Sequence, residues 1–99
     1  MVKYKNPLDV IFFALSDPTR RMIMYQISLG KLLTASDIAR PHHVSQAAIS
    51  KQVKILEQAG LIRRKKQGKN HLFSLSPLSL KIASDYLSEY RPYGDVNIK

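Results

Sequence analysis

Apolar residues recur with a helical period along most of this chain, and proline marks where the helices begin. Asn6-Pro7, Asp17-Pro18 and Ser76-Pro77 each set a cap-forming residue before proline. The cap side chain accepts one of the unpaired N–H groups of the first turn, and proline at the first helical position has no N–H to leave unpaired. Gly30 and Gly60 stand where a helix C-terminus takes a left-handed residue. The pattern predicts helices over about 7–15, 18–29, 35–40, 46–59 and 77–90. Thr34 is placed to cap the third helix, with Asp37 three residues on in a capping box that favours Glu or Gln. Pro41 is expected to stop that helix, and Ser45 to cap the fourth.

After Gly60 the period changes. Leu61 to Lys66 and His71 to Ser76 read as two strands around a Gln67-Gly68-Lys69-Asn70 turn, with Phe73 and Leu75 facing inward. The expected class is mainly α with a small β-hairpin. A short helix, a brief turn, a longer helix and a hairpin follow one another as in a winged helix-turn-helix. No repeat, linker or low-complexity tract divides the 99 residues, so 1–99 reads as a single domain with 92–99 as a flexible tail.

Composition narrows the chemistry. Hydrophobic residues make up 44%, too many for a disordered chain. The absence of cysteine excludes disulfides, thiolate metal sites and thiol redox switching. The longest apolar run, Val10 to Leu15, is too short for a membrane span or a signal-peptide core. A soluble cytoplasmic protein is expected. No nucleophile paired with a base and no phosphate-cradling glycine loop is visible, so an enzyme is not expected.

The net charge is +9, and seven of those charges fall in residues 40–71, where eight basic groups face Glu57 alone. A cationic segment of this kind suits a polyanion. On a wheel of about 100° per residue, Ala48, Ile49, Val53, Ile55, Leu56 and Ala59 share one side of the fourth helix, with Gln52 among them. Gln46, Ala47, Ser50, Lys51, Lys54, Glu57 and Gln58 share the other. Gln46, Ala47, Ser50 and Lys51, in its N-terminal half, suit base edges in a major groove. Gln bonds adenine, Ala meets a thymine methyl, Ser takes donors or acceptors, and Lys reaches guanine or phosphate. Ser45, Lys54, Arg63, Arg64, Lys65, Lys66, Lys69 and Asn70 are the candidate phosphate and wing contacts. Alternation along a strand means these side chains do not all point one way.

The stretch Leu15-Ser16-Asp17-Pro18-Thr19-Arg20-Arg21-Met22-Ile23 and the block from Ser45 to Ile62 resemble the second helix and the recognition helix of ArsR/SmtB-type (arsenic-repressor-like) winged-helix regulators. The similarity runs over about residues 8–90. It implies a homodimeric prokaryotic transcription factor, usually a repressor, on a two-fold operator. It also implies that the fourth helix enters the major groove while the first and last helices pair the subunits. Metal sensing, frequent in that family, is not expected here. Thr34 and Ser36 stand at the positions of its Cys-x-Cys pair, no His follows position 71 to join Asp85 and Glu89, and His42-His43 is a poor chelate. No cofactor is expected, and the subgroup implied is a non-metal-sensing one.

The first helix is apolar nearly all round, and the last carries Leu78, Ile82, Tyr86 and Tyr90 at helical spacing. Leu8, Ile11, Phe12, Leu15, Ile82, Tyr86 and Tyr90 are therefore the candidate dimer contacts. Two recognition helices about 34–36 Å apart would then meet successive major grooves of a pseudo-palindromic operator. The competing readings are a non-specific nucleoid-type DNA binder and a winged-helix protein-interaction module. An unknown inducer or partner protein is left open.

Overall fold

A computed structural model describes residues 6–30 and 32–94. Helix α1 spans Pro7–Leu15, α2 Pro18–Ser28, α3 Ala35–Ala39 and α4 Gln46–Gln58. Strands β1 (Ile62–Gln67) and β2 (Asn70–Leu75) follow, then α5 (Pro77–Ser88) and a single further turn, α6 (Arg91–Gly94).

The caps do most of what the sequence leads one to expect. Asn6 Oδ1 accepts from the Leu8 N–H at 2.8 Å and Asp17 Oδ2 from the Arg20 N–H at 3.1 Å. Thr34 and Asp37 close a reciprocal capping box at 3.0 and 3.1 Å, so Asp serves where Glu was favoured. Ser76 differs. Its side chain makes no cap bond, and its backbone N–H instead donates to the Leu61 carbonyl at 2.9 Å, closing the base of the hairpin.

Pro41 does not simply stop α3. The helix ends at Ala39 and tightens into a 3₁₀ turn, Arg40–His42, where a proline near the start costs no hydrogen bond. His43 then takes the left-handed region at φ 55, which reverses the chain into α4. His42 is half-buried, and its Nε2 lies 3.0 Å from Gln26 Oε1, tying the turn back to α2.

Helix α4 ends in a Schellman motif: the Gly60 N–H donates to Glu57 O at 2.9 Å and the Leu61 N–H to Leu56 O at 3.0 Å. Gly60 sits at φ +71, and a Cβ there would stand 2.5 Å from Ser79 Oγ. The hairpin is antiparallel, with Arg64 opposite Phe73 and Gln67 opposite Asn70. Each strand therefore includes one residue assigned to the turn from sequence, and Gly68-Lys69 is a two-residue loop. Leu33 adds an isolated bridge to Phe73.

The core runs through every layer: Ile11 and Ala14 of α1, Ile23 and Ile27 of α2, Ile38 of α3, Ile49, Val53 and Leu56 of α4, Leu61, Ile62 and Phe73 of the hairpin, and Ala83 of α5. Ala48 is exposed rather than part of this stripe, because it lies about 100° round the helix from Ile49. The expected tail from 92 begins in α6, and residues 95–99 lie outside the described residues.

Candidate nucleic-acid interface

Helices α3 and α4, with the 3₁₀ turn between them, stand in front of the hairpin. Ser45 caps α4 by accepting from the Ala48 N–H at 3.0 Å. That leaves its hydroxyl proton to donate outward. The first turn of α4 points its remaining N–H groups and its positive dipole end the same way. Gln46, Ala47, Ser50, Lys51 and Lys54 are all exposed, on the side opposite buried Ile49, Val53 and Leu56.

The hairpin closes the other flank. A cleft of about 350 Å³ opens between them, lined by Thr34, Ser36, Gln46, Ser50, Lys69 and Asn70 among others, and no carboxylate lines it. Two of the four expected base-facing residues, Gln46 and Ser50, and three of the expected wing residues, Arg64, Lys69 and Asn70, thus share one concavity.

The wing cations separate into groups. Strand alternation sets Arg64 and Lys66 on the face of Phe73, and Arg63 and Lys65 on the opposite face; all four are exposed. Arg64 is committed within the protein. Its Nη2 and Nε donate to the two oxygens of Glu57 at 2.6 and 3.2 Å, its Nη1 lies 3.2 Å from His71 Nδ1, and its guanidinium sits 5.2 Å from the Phe73 ring centroid. Expected as a phosphate contact, it lines the cleft and, within the single chain, fastens the wing to the last turn of α4.

The candidate dimer contacts divide as well. Ile11 is 1% exposed and belongs to the core of the single chain, because it faces inward with Ala14 beneath α2 and α4. Leu8, Leu15, Ile82 and Tyr86 are half-buried, while Phe12 and Tyr90 are exposed. Phe12, Tyr86 and Tyr90 form an edge-to-face series with centroids 5.8 and 5.5 Å apart. The Tyr86 hydroxyl, 3.4 Å away, holds the Tyr90 hydroxyl above the usual phenol range.

Sequence reasoning missed Arg20. It is buried, and its guanidinium reaches the Phe13 and Ala14 carbonyls of α1 and the Gln52 side chain of α4. The only hint was its place in the Leu15-to-Ile23 stretch. Among the described residues no group of three His, Cys, Asp or Glu is placed to hold a metal ion, and no helix is long and apolar enough to cross a membrane.

Residues 17–64 match the model of the bacterial regulatory protein arsR family. The chain is 34% identical over 88 residues to the transcriptional repressor SdpR of Bacillus subtilis, covering 89% of this chain and 97% of that one. Its fold matches an ArsR-like transcriptional regulator from Rhodococcus sp. RHA1 with a TM-score of 0.78 and 28% identity, over 90% of this chain and 81% of that one. It also matches the homodimeric winged helix-turn-helix DNA-binding domain of a possible ArsR-family regulator from Mycobacterium bovis. There the TM-score is 0.69 at 14% identity, over 94% of this chain and 88% of that one, a likeness of fold alone.

Proposed function

This chain belongs to the arsR family of bacterial regulatory proteins, and on that premise we propose that it is a cytoplasmic homodimeric repressor that reads a pseudo-palindromic operator with α4. The family makes it a DNA-binding transcriptional regulator; the residue roles and the pairing are the proposal. Gln46, Ala47, Ser50 and Lys51 face base edges. Ser45, Lys54 and the wing residues Arg63, Lys65, Lys66, Lys69 and Asn70 meet or attract phosphates. Helices α1 and α5 pair with those of a second copy.

One observation carries this reading. The exposed flank of α4 and the wing line a single cleft without a carboxylate, in a chain whose net charge is +9. Bases need polar partners in the groove and the flanking backbone needs cations, and this surface offers both. Repression is then steric, by occupation of a promoter.

The test is recovery of bound duplexes from a random library, followed by mobility shifts of the recovered duplex against random sequence at fixed salt. A preference of about 10³-fold or more is expected for a sequence-reading protein. A ratio near one would make it a non-specific binder, and no binding at low salt would favour a protein-interaction module.

A further inference from the structure

Among the described residues Arg20 is the one charged side chain that the fold buries, at 8% exposed. Its Nε donates to Ala14 O at 2.7 Å and its Nη2 to Phe13 O at 3.1 Å. These are C-terminal carbonyls of α1, at the negative end of the helix dipole, and Phe13 O also accepts from the Ser16 N–H at 3.1 Å. Its Nη1 donates to Gln52 Oε1 at 2.9 Å, across 32 residues of sequence. The guanidinium also lies 5.3 Å from the Phe13 ring centroid. A lysine has no planar fork and cannot hold two helices in this way.

Gln52 lies on the inner side of α4, away from Gln46 and Ser50. On the other side of α1, Phe12 meets Tyr86 of α5 edge to face at 5.8 Å. A continuous set of contacts therefore runs from the apolar α1/α5 face, through the end of α1 and Arg20, to the recognition helix.

The apolar contacts of Ile49, Val53 and Leu56 are non-directional and define the rotation of α4 less sharply than a hydrogen bond does. A rotation of α4 about its own axis by about 15–20° is the same size as the scatter of helix crossing angles. At a side-chain radius of about 5–6 Å that rotation moves a polar tip by about 1.5–2 Å, enough to break a hydrogen bond to a base edge. A directional bond removes this freedom.

We propose that Arg20 is a positioning residue for DNA recognition: the Arg20–Gln52 hydrogen bond sets the rotation of α4 against α1, and so the register of Gln46 and Ser50 on the bases. The inference rests on the DNA-reading role of α4.

Its test uses the full chain and two probes of equal length at one salt concentration: a duplex recovered by the wild type from a random library, and a random-sequence duplex. Gln52→Leu removes the acceptor and keeps the packing. It should lose about tenfold on the recovered duplex and less than about twofold on the random one, as expected when a base contact is misplaced and phosphate contacts are kept. Gln52→Glu restores an acceptor and should stay within about threefold of wild type on both. Arg20→Lys should behave as Gln52→Leu. In the Gln52→Leu background, Gln46→Ala should add little further loss, because the contact is already displaced.

Equal losses on both duplexes, or an unchanged preference in Gln52→Leu, would overturn the proposal. If the wild type recovers no preferred duplex, the DNA reading alone fails. Amide NMR shifts of residues 46–51 in DNA-free Gln52→Leu then decide: moved shifts uphold the mechanical link, and unmoved shifts overturn it.

Discussion

Arg64 and Glu57 meet through two parallel hydrogen bonds, 2.6 and 3.2 Å, that join the first wing strand to the final turn of α4. The Arg64 side chain is 40% exposed and that of Glu57 24%. The pair cancels a positive charge at the root of the wing while holding the wing against the recognition helix.

Arg64→Gln should therefore cost about 0.5–1 kcal/mol of stability yet leave the salt dependence of DNA binding nearly unchanged. Lys69→Ala, at the loop beside the cleft, should lower the slope of log K against log salt by about one unit if the ammonium meets a phosphate. Titrations at several salt concentrations separate the two. A slope that falls equally for both variants would return Arg64 to the phosphate-binding set.

Gln46 lies on the exposed flank of α4 and lines the cleft shared with Lys69 and Asn70. Gln46→Ala should cost about 1–3 kcal/mol on the preferred duplex and relax the choice of base at one position in each half-site. Binding to random duplex should be nearly unchanged, as read by parallel mobility shifts. Uniform weakening on every sequence would remove Gln46 from the base-reading set.

What could be read from the chain, and what could not, follows the range of the interactions. Asn6, Asp17 and Thr34 cap helices through bonds to N–H groups two or three residues away, so short motifs revealed them. The hairpin was visible because a glycine stands between two β-patterned runs. The roles of Arg20 and Arg64 were hidden. Arg20 bonds two backbone carbonyls, which carry no sequence signal, and a glutamine 32 residues away. Arg64 finds Glu57 only because Gly60 reverses the chain between them. Ile11 was assigned to the seam because an all-round apolar helix does not say which side meets its own core.

Gly60 is left-handed at φ +71 and stands against Ser79, whose hydroxyl donates to Ala59 O at 2.9 Å. Gly60→Ala should destabilise the fold by more than the roughly 1–2 kcal/mol of left-handed strain, since its methyl also displaces a buried hydroxyl. Adding Ser79→Ala relieves the clash, so the double variant should lose less than the sum of the two singles. Urea denaturation of all four proteins measures the coupling; strict additivity would mean that the contact carries no weight.

The Thr34 N–H, donating to the Asp37 carboxylate, holds its pKa below the usual 3.8, with the Thr34 hydroxyl and Arg40 adding to the effect. A depressed carboxylate pKa contributes stability above the unfolded value that disappears as pH falls through the folded one. The Asp37 side chain is 37% exposed. Asp37→Asn should therefore cost only about 0.5 kcal/mol at pH 7, the low end for a cap. The gap between wild type and variant should narrow as pH falls below the ordinary carboxylate value of 3.8. Melting curves from pH 7 to pH 2.5 check this, and a gap that is constant with pH would show that the ionised form adds nothing.

The seam between subunits gives the sharpest test of the proposed assembly. Phe12 and Tyr90 are 37% and 50% exposed on the single chain, at the two ends of the aromatic series through Tyr86, and Leu87 beside them is 55% exposed. Paired helices would bury this surface, and a carboxylate placed there would be buried without a partner. Phe12→Asp and Tyr90→Asp should therefore halve the mass found by light scattering at micromolar concentration. They should also lower affinity for a two-half-site duplex by at least about 100-fold, because a monomer loses the second contact that dimerisation supplies. Tyr25→Asp, at an exposed site on α2, is the control and should leave the mass unchanged. If the seam variants and the control keep the same mass as wild type, α1 and α5 do not pair the subunits. The second half-site would then have to be reached by some other surface.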